Sequence, residues 1–225
     1  MHQGHIDLLV GVLDNLRKMG YPISQTLILP VYRRNPTGAP KDQLPQTFEQ
    51  RVAMCELAIR EVRLEHPDHP IAVSRIEATL AMRGTSPNYT SETLSYLNKH
   101  DLAGMKLMFV ISSQLLHGMD PEFSHWYHIE TILRQATLVV CPRPGFPINQ
   151  EYIQSLNNLG GHIVVLSDVK TLDISSTIIR QRLARGEHPL ALAHEGVIPL
   201  SIAHYLAEHN LYMDPSCSQK HPFQH

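Results

Sequence analysis

His2 and His5 stand either side of Gly4 in the stretch His2-Gln3-Gly4-His5. A glycine there lets the backbone approach a ligand while two imidazoles converge on it, an arrangement suited to an anion. Far along the chain, Ile174-Ser175-Ser176-Thr177-Ile178-Ile179-Arg180 sets three hydroxyls at the opening of a helix. Such a mouth offers free backbone N–H groups and the positive end of the helix dipole, both favourable to phosphate. Arg180 follows Ser176 by one helical turn and so reaches over the same anion. The hydroxyls also have a purely structural use as a cap, and Arg180 is the residue that a cap does not need.

Other candidates surround these two. Arg33, Arg34 and Lys41 occupy a proline-rich loop, where they form either a solvated charged surface or a cationic arm over a polyphosphate. Trp126, the single tryptophan, is either a core residue or a flat ring able to stack on a base or a pyridine. With 15 histidines in the chain, pairs such as His66 and His69, His125 and His128, or His221 and His225 are expected by chance. None of them has the cysteine or carboxylate companions of a structural metal site.

The elements that must position these residues follow from periodicity. Ile6, Leu9, Val10, Leu13 and Leu16 make a helical stripe that begins at the histidines and stops at Gly20 and Pro22. Residues 26–31 read as a buried strand, and Phe48, Val52, Cys55, Ile59 and Val62 as the next helix, started near Gln46 or Thr47. A strand is expected over 71–76, a helix from Thr90 or Ser91 as cap through Leu97, a strand over 106–111, and a helix over 126–135. A strand over 137–141 ends at Pro142-Arg143-Pro144-Gly145, and a helix over 152–158 precedes a strand over 162–166. The helix begun by Ser175 ends near Gly186, and a last helix over about 197–209 buries Ile202, Tyr205 and Leu206. This alternation predicts βαβ units and a mostly parallel sheet with helices on both faces. Ligands gather beyond the carboxyl ends of such strands. The Arg33 to Lys41 loop, the turn before Thr90, residues 112–114, Arg143 and residues 175–177 are each expected to follow a strand there.

Composition narrows the partners. A chain of 225 residues with 43% hydrophobic and 18% charged residues has the means for a packed core, read as one domain over 1–212 with a flexible tail over 213–225. The formal charge of −2 gives no broad attraction for nucleic acid or an anionic membrane. Cys55, Cys141 and Cys217 are widely spaced, which excludes a disulfide framework and a zinc ribbon and suggests the cytoplasm. No apolar run nears the roughly 18 residues of a membrane span. Self-association is left open.

Taken in order, these pieces resemble the nucleotidyltransferase superfamily marked by H-x-G-H and I-S-S-T-x-x-R, and more closely the nicotinate mononucleotide adenylyltransferases. The matching stretches are His2-Gln3-Gly4-His5, the loop with Lys41, 50–58 (QRVAMCELA), 88–94 (NYTSETL), Trp126-Tyr127, Arg143-Pro144-Gly145, 174–180 (ISSTIIR), and the helix before Leu211-Tyr212. The resemblance implies a Rossmann-like α/β fold and in-line transfer of AMP from ATP to a pyridine mononucleotide, nicotinate or nicotinamide, with Mg²⁺ arriving on ATP. It implies that His2, His5 and Arg180 act on the phosphates, with Gly4, Lys41, Ser175, Ser176 and Thr177 binding ATP. Thr90, Trp126, Tyr127 and Arg143 would take the mononucleotide.

Two departures accompany the resemblance. Where the family has Gly-Ala/Ser-Asp, its carboxylate helping to hold a ribose, this chain has Ser112-Ser113-Gln114. The family also begins with a strand and glycine turn before the first histidine, so the first strand is expected to be absent from a sequence starting at Met1, as in a fragment or a gene read from too late a start. A degenerate member that binds nucleotide without chemistry, and a member acting on phosphopantetheine, are the alternative expectations.

Overall fold

The computed structural model describes residues 1–32, 46–84, 88–167, 169 and 174–212. Arg33, Arg34, Lys41 and the tail expected at 213–225 lie outside the described residues. In chain order the elements are α1 (Gln3–Lys18), β1 (Thr26–Ile28), α2 (Phe48–Glu65), β2 (Ile71–Val73), α3 (Ile76–Met82), α4 (Thr90–Lys99) and β3 (Leu107–Ser112). There follow α5 (Ile129–Gln135), β4 (Ala136–Cys141), α6 (Gln150–Asn158), β5 (Ile163–Val165), α7 (Ser176–Ala184), α8 (Pro189–His194) and α9 (Leu200–Glu208). Among the described residues every strand pair is parallel, as the βαβ reading requires. The contacts divide into two compact units.

The first unit draws on the described parts of Met1–Val31, Gln43–Arg75 and Lys170–His225. β1 pairs with β2 through Thr26↔Ile71, Leu27↔Ala72 and Ile28↔Val73. Helix α1 buries Ile6, Val12, Leu13 and Leu16 on one stripe and stops where Gly20 takes φ 84°, a left-handed turn that suits glycine. α2 begins in a reciprocal cap: Thr47 Oγ1 accepts from the Gln50 N–H at 3.2 Å, and Gln50 Oε1 accepts from the Thr47 N–H at 3.0 Å. Ala58, Ile59, Leu183, Leu192, Ile202 and Ala203 lie at the centre of this unit's core.

The second unit comprises the described parts of Tyr32–Asp42 and Ile76–Val169. Its sheet runs β3-β4-β5, and the long β3/β4 register carries from Leu107↔Ala136 to Ser112↔Cys141. Phe123, Leu116, Ile132, Leu138, Val140 and Leu156 fill the core beside it.

Several expected boundaries move for local reasons. The strand expected over 71–76 ends at Val73, and Ile76 opens α3, because 76–82 (IEATLAM) is rich in strong helix formers. The turn before Thr90 therefore follows a helix rather than a strand. The N-cap of α4 is Tyr89, with extended backbone, and Thr90 and Ser91 are already helical. The helix expected from Trp126 starts at Ile129: Trp126 closes a 3-10 turn over Glu122–His125, and His128 caps α5 at φ 53°, ψ 51°. Pro199 delays the last helix to Leu200. α8 was not foreseen; Pro189 at its first position and the His188 ring, which accepts from the Leu190 N–H at 3.2 Å, define its start.

Candidate phosphate site and acceptor-side cluster

The mouths of α1 and α7 belong to the same unit, and a chain of contacts between distant residues brings them together. The Gln3 N–H in the first turn of α1 donates to the Val197 carbonyl at 3.0 Å, in the connection between α8 and α9. The next residue, Ile198, lines a cavity of about 80 Å³ together with Met1, His2, Met54, Ser176, Ile179, Arg180, Leu183, Ile202, Leu206 and Tyr212. Its floor is apolar, and its polar lining is His2, Ser176, Arg180 and Tyr212. Three of the residues singled out from sequence therefore meet at one opening, although 174 positions separate the first from Ser176.

His2 is the N-cap of α1 and only 7% exposed. Its carbonyl accepts from the His5 N–H at 2.9 Å, and its own N–H donates to His5 Nδ1 at 3.3 Å. The rings sit 3.8 Å apart, tilted by 35°. Because Nδ1 of His5 is an acceptor, the neutral ring carries its proton on Nε2, where it serves as a donor. His2 Nδ1 is buried with no hydrogen-bond partner among the described residues. A buried orphan of this kind costs roughly 1 to 3 kcal/mol, a cost that a ligand reaching it would offset. Burial, then the neighbouring His5 and the terminal amine, pushes the His2 imidazole down to about 3. Burial, then the terminal amine, takes His5 to about 4, even though its ring keeps an exposed edge. Both are neutral donors near pH 7. Gly4 is buried between them in the same turn.

At the other mouth Ser175 is the N-cap of α7, and its Oγ accepts from the Thr177 N–H at 3.2 Å. Its carbonyl accepts from the Ile179 N–H at 3.1 Å. Among the described residues the N–H groups of Ser176 and Ile178 have no partner, which leaves the donors that an anion at a helix start requires. Arg180 Nη2 donates to Thr177 Oγ1 at 3.2 Å, so the guanidinium folds back over the first turn. Tyr212, held at φ 66°, enters beside it; burial raises its phenol, and the charges of Arg180 and Arg51 oppose that rise. Tyr212 was missed from the sequence because it sits at the edge of an unpatterned tail.

The residues expected on the acceptor side lie in the second unit. Tyr127 is 46% exposed and stacks on Tyr89, with ring centroids 4.1 Å apart and planes at 28°. Thr90 is the first residue of α4, directly after Tyr89. Trp126 turns inward, its ring 5.1 Å from Phe123 and 6.1 Å from Phe109 at the margin of the core. Arg143 stands beyond the end of β4, bound to Gln114 and Ser113 beyond the end of β3. Tyr89 was passed over as a site residue, yet it sits in the same quoted stretch as Thr90. Among the described residues no group of three or more His, Cys, Asp or Glu is arranged to hold a metal ion. No helix among them is long and apolar enough to cross a membrane.

Comparison with known proteins bears on the family and the fold. A family model described as cytidylyltransferase-like matches residues 1–182. A probable nicotinate-nucleotide adenylyltransferase from Klebsiella pneumoniae is 29% identical over 226 residues, covering 94% of this chain and 92% of the relative. One from Shigella boydii is 28% identical, covering 94% and 93%. Among solved structures, Plasmodium falciparum nicotinic acid mononucleotide adenylyltransferase complexed with NaAD aligns with TM-score 0.67 at 15% identity, covering 94% of this chain and 91% of that one. The same enzyme complexed with APC aligns at 0.66 and 13% identity with the same coverage. At that identity the likeness establishes the Rossmann-like α/β fold. With a family model spanning residues 1–182 of the 225, the chain belongs to the cytidylyltransferase-like family of nucleotidyltransferases.

Proposed function

We propose that this chain transfers AMP from ATP to the phosphate of nicotinate mononucleotide, forming the dinucleotide and releasing pyrophosphate as a step of NAD biosynthesis. The observation that carries the proposal is the meeting of His2, Ser176 and Arg180 at one opening. The relatives' names, over nearly their whole length, supply the acceptor. A phosphate oxygen of the mononucleotide attacks the α-phosphorus of ATP in line, and the bond from that phosphorus to the β-phosphate bridging oxygen breaks. The electron pair leaves with pyrophosphate, and no enzyme-bound intermediate forms. The protein's share is positioning and charge stabilisation.

In this reading His2 and His5 donate N–H groups to the α- and β-phosphates. The first turn of α7, with Ser175, Ser176, Thr177 and Arg180, holds the β- and γ-phosphates, joined by Gly4 at the α1 turn and by Lys41. Thr90, Trp126, Tyr127 and Arg143 serve the mononucleotide. The donors at the two mouths are imidazole, hydroxyl, amide and guanidinium, a set without carboxylate, so Mg²⁺ enters on the triphosphate rather than in a protein cage. The metal's contribution is to neutralise phosphate charge. Buried thiols at Cys55 and Cys141, neither in a disulfide, suit a reducing cytoplasm.

The test supplies ATP and Mg²⁺ with nicotinate mononucleotide, nicotinamide mononucleotide or phosphopantetheine, and follows both pyrophosphate and the adenylylated product. Dinucleotide formation preferring nicotinate mononucleotide, and abolished by His5→Ala, is the expected result. Nucleotide binding without turnover on any acceptor would replace the proposal with the degenerate-binder reading.

A further inference from the structure

Beyond α9 the chain turns back on itself. The Leu211 N–H donates to the Leu206 carbonyl at 3.0 Å, and Asn210 and Tyr212 on either side take φ 48° and φ 66°. Leu211, only 8% exposed, anchors this turn in the core of the first unit. Asparagine tolerates the left-handed region, but a bulky aromatic residue there is strained, and strain of that kind gathers at ligand sites. The turn delivers Tyr212 to the opening lined by His2, Ser176 and Arg180.

The Tyr212 ring packs against the core, and that accounts for the ring. It does not account for the hydroxyl, because a phenylalanine would pack as well. Among the described residues that hydroxyl has no hydrogen-bond partner. Burial raises the phenol's pKa against the charges of Arg180 and Arg51, so near pH 7 it is a neutral O–H donor in the field of two guanidinium groups. Arg180 itself bonds Thr177 Oγ1 and faces the same opening. An unpaired O–H beside that guanidinium adds a donor for the anion that Arg180 attracts. Residue 212 also lies beyond residue 182, where the family-model match ends, so this wall of the opening comes from outside the matched region.

We infer that Tyr212 is a further binding residue of the phosphate site, its O–H donating to a distal phosphate oxygen, β or γ, of the nucleotide beside Arg180. The turn after α9 is then a wall of the nucleotide site as well as the end of a helix. The inference rests on the phosphate half of the adenylyltransferase reading.

The experiment titrates Tyr212→Phe, Arg180→Gln and the unaltered chain by calorimetry, in Mg²⁺, with ATP, AMP and inorganic tripolyphosphate. Tyr212→Phe keeps the ring, so its melting temperature should not move. Loss of one hydrogen bond to a charged group should weaken ATP and tripolyphosphate about tenfold, and leave AMP, which has only the α-phosphate, within about twofold. KM for ATP should rise with kcat little changed. Binding of ATP and tripolyphosphate by Tyr212→Phe within about twofold of the unaltered chain would overturn the inference, and so would an equal loss for AMP. Tripolyphosphate binding lost in Arg180→Gln but kept in Tyr212→Phe would overturn it while leaving the phosphate site and adenylyl transfer in place. Because the titrations need no turnover, a chain that transfers no adenylyl group, but whose Phe variant binds ATP about tenfold more weakly, would sink the transfer reading and leave this one standing.

Discussion

Arg180 and Arg182 lie on the same helix with one residue between them, and the molecule treats them in opposite ways. Two residues along α7 is about 200° of rotation, so they leave opposite faces. Arg182 is saturated. Its Nε donates to Glu187 at 2.7 Å, its Nη2 also bonds Glu187, and Nη2 meets both oxygens of Glu195 at 2.8 Å. That network ties the end of α7 to the start and the end of α8. Arg180 has a hydroxyl, Thr177 Oγ1, and an opening shared with His2 and Ser176. The difference separates two uses of a cation in this fold: one matched by carboxylates holds elements together, and one with no carboxylate partner among the described residues, set at an opening, is the one to which the proposed function gives an anion.

The contrast breaks first at Arg180. Arg180→Gln is expected to lower kcat/KM for adenylyl transfer at least a hundredfold, roughly 3 kcal/mol of transition-state stabilisation, with the urea midpoint unmoved. A stability loss matching the activity loss would make Arg180 a second staple and erase the distinction.

The other polar wall of the same opening gives a pH prediction. The His2 pKa lies near 3 in the folded chain and near 6.5 when unfolded, so the unfolded state takes up the proton first as pH falls. The stability tied to a neutral, buried His2 is full above about 6.5 and is lost as pH falls toward 3, roughly 2 to 3 kcal/mol by pH 4.5. His2→Asn should flatten that part of the stability curve in urea titrations between pH 7 and 4.5. Bound ATP should raise the imidazole pKa and cause proton uptake, seen as a buffer-dependent binding enthalpy. An unchanged pH profile in His2→Asn would place the titration elsewhere.

Arg182→Gln sharpens the contrast from the structural side. It leaves Glu187 and Glu195 facing each other without a cation, and with these side chains 29% to 50% exposed the expected loss is about 1 to 2 kcal/mol in the urea midpoint. Activity per folded molecule should hold. Arg182 lowers the Glu187 pKa, so this stability is present above the unfolded carboxyl pKa and disappears as pH falls through the folded one. In acid the variant and the unaltered chain should therefore converge, and a constant gap at all pH values would argue against the ion pair as the cause.

Much of the first unit was legible in the sequence because its helices carry their own stop and start marks. α1 ends at Gly20, α2 begins in the Thr47/Gln50 box, and Ser175 caps α7 where the hydroxyls stand. The β2 end was not, because the short apolar run up to Ile76 fits either period. Pairings across elements were also invisible. The Gln3–Val197 bond, which ties the start of α1 to the connection between α8 and α9, and the Arg143–Gln114 contact depend on tertiary placement and strand register, which no local pattern encodes. Trp126 illustrates the same limit: a lone tryptophan reads equally as platform or core, and its packing on Phe109 and Phe123 is decided by the 3-10 turn that precedes it.

The smallest expected effect divides the two uses of a single residue. Ser175→Ala deletes the acceptor for the Thr177 N–H and should cost about 1 kcal/mol of stability, as for other lost caps. Ser175→Asp keeps that acceptor and adds a negative charge at the positive end of α7, so the free protein should gain a few tenths of a kcal/mol. The same charge sits where the polyphosphate is proposed to lie, and it should raise KM for ATP several-fold while leaving KM for the mononucleotide alone. Stability and ATP affinity moving in opposite directions is a result that a cap with no ligand cannot give; if both rise together in Ser175→Asp, the mouth of α7 is a capped helix start, and the phosphates bind elsewhere.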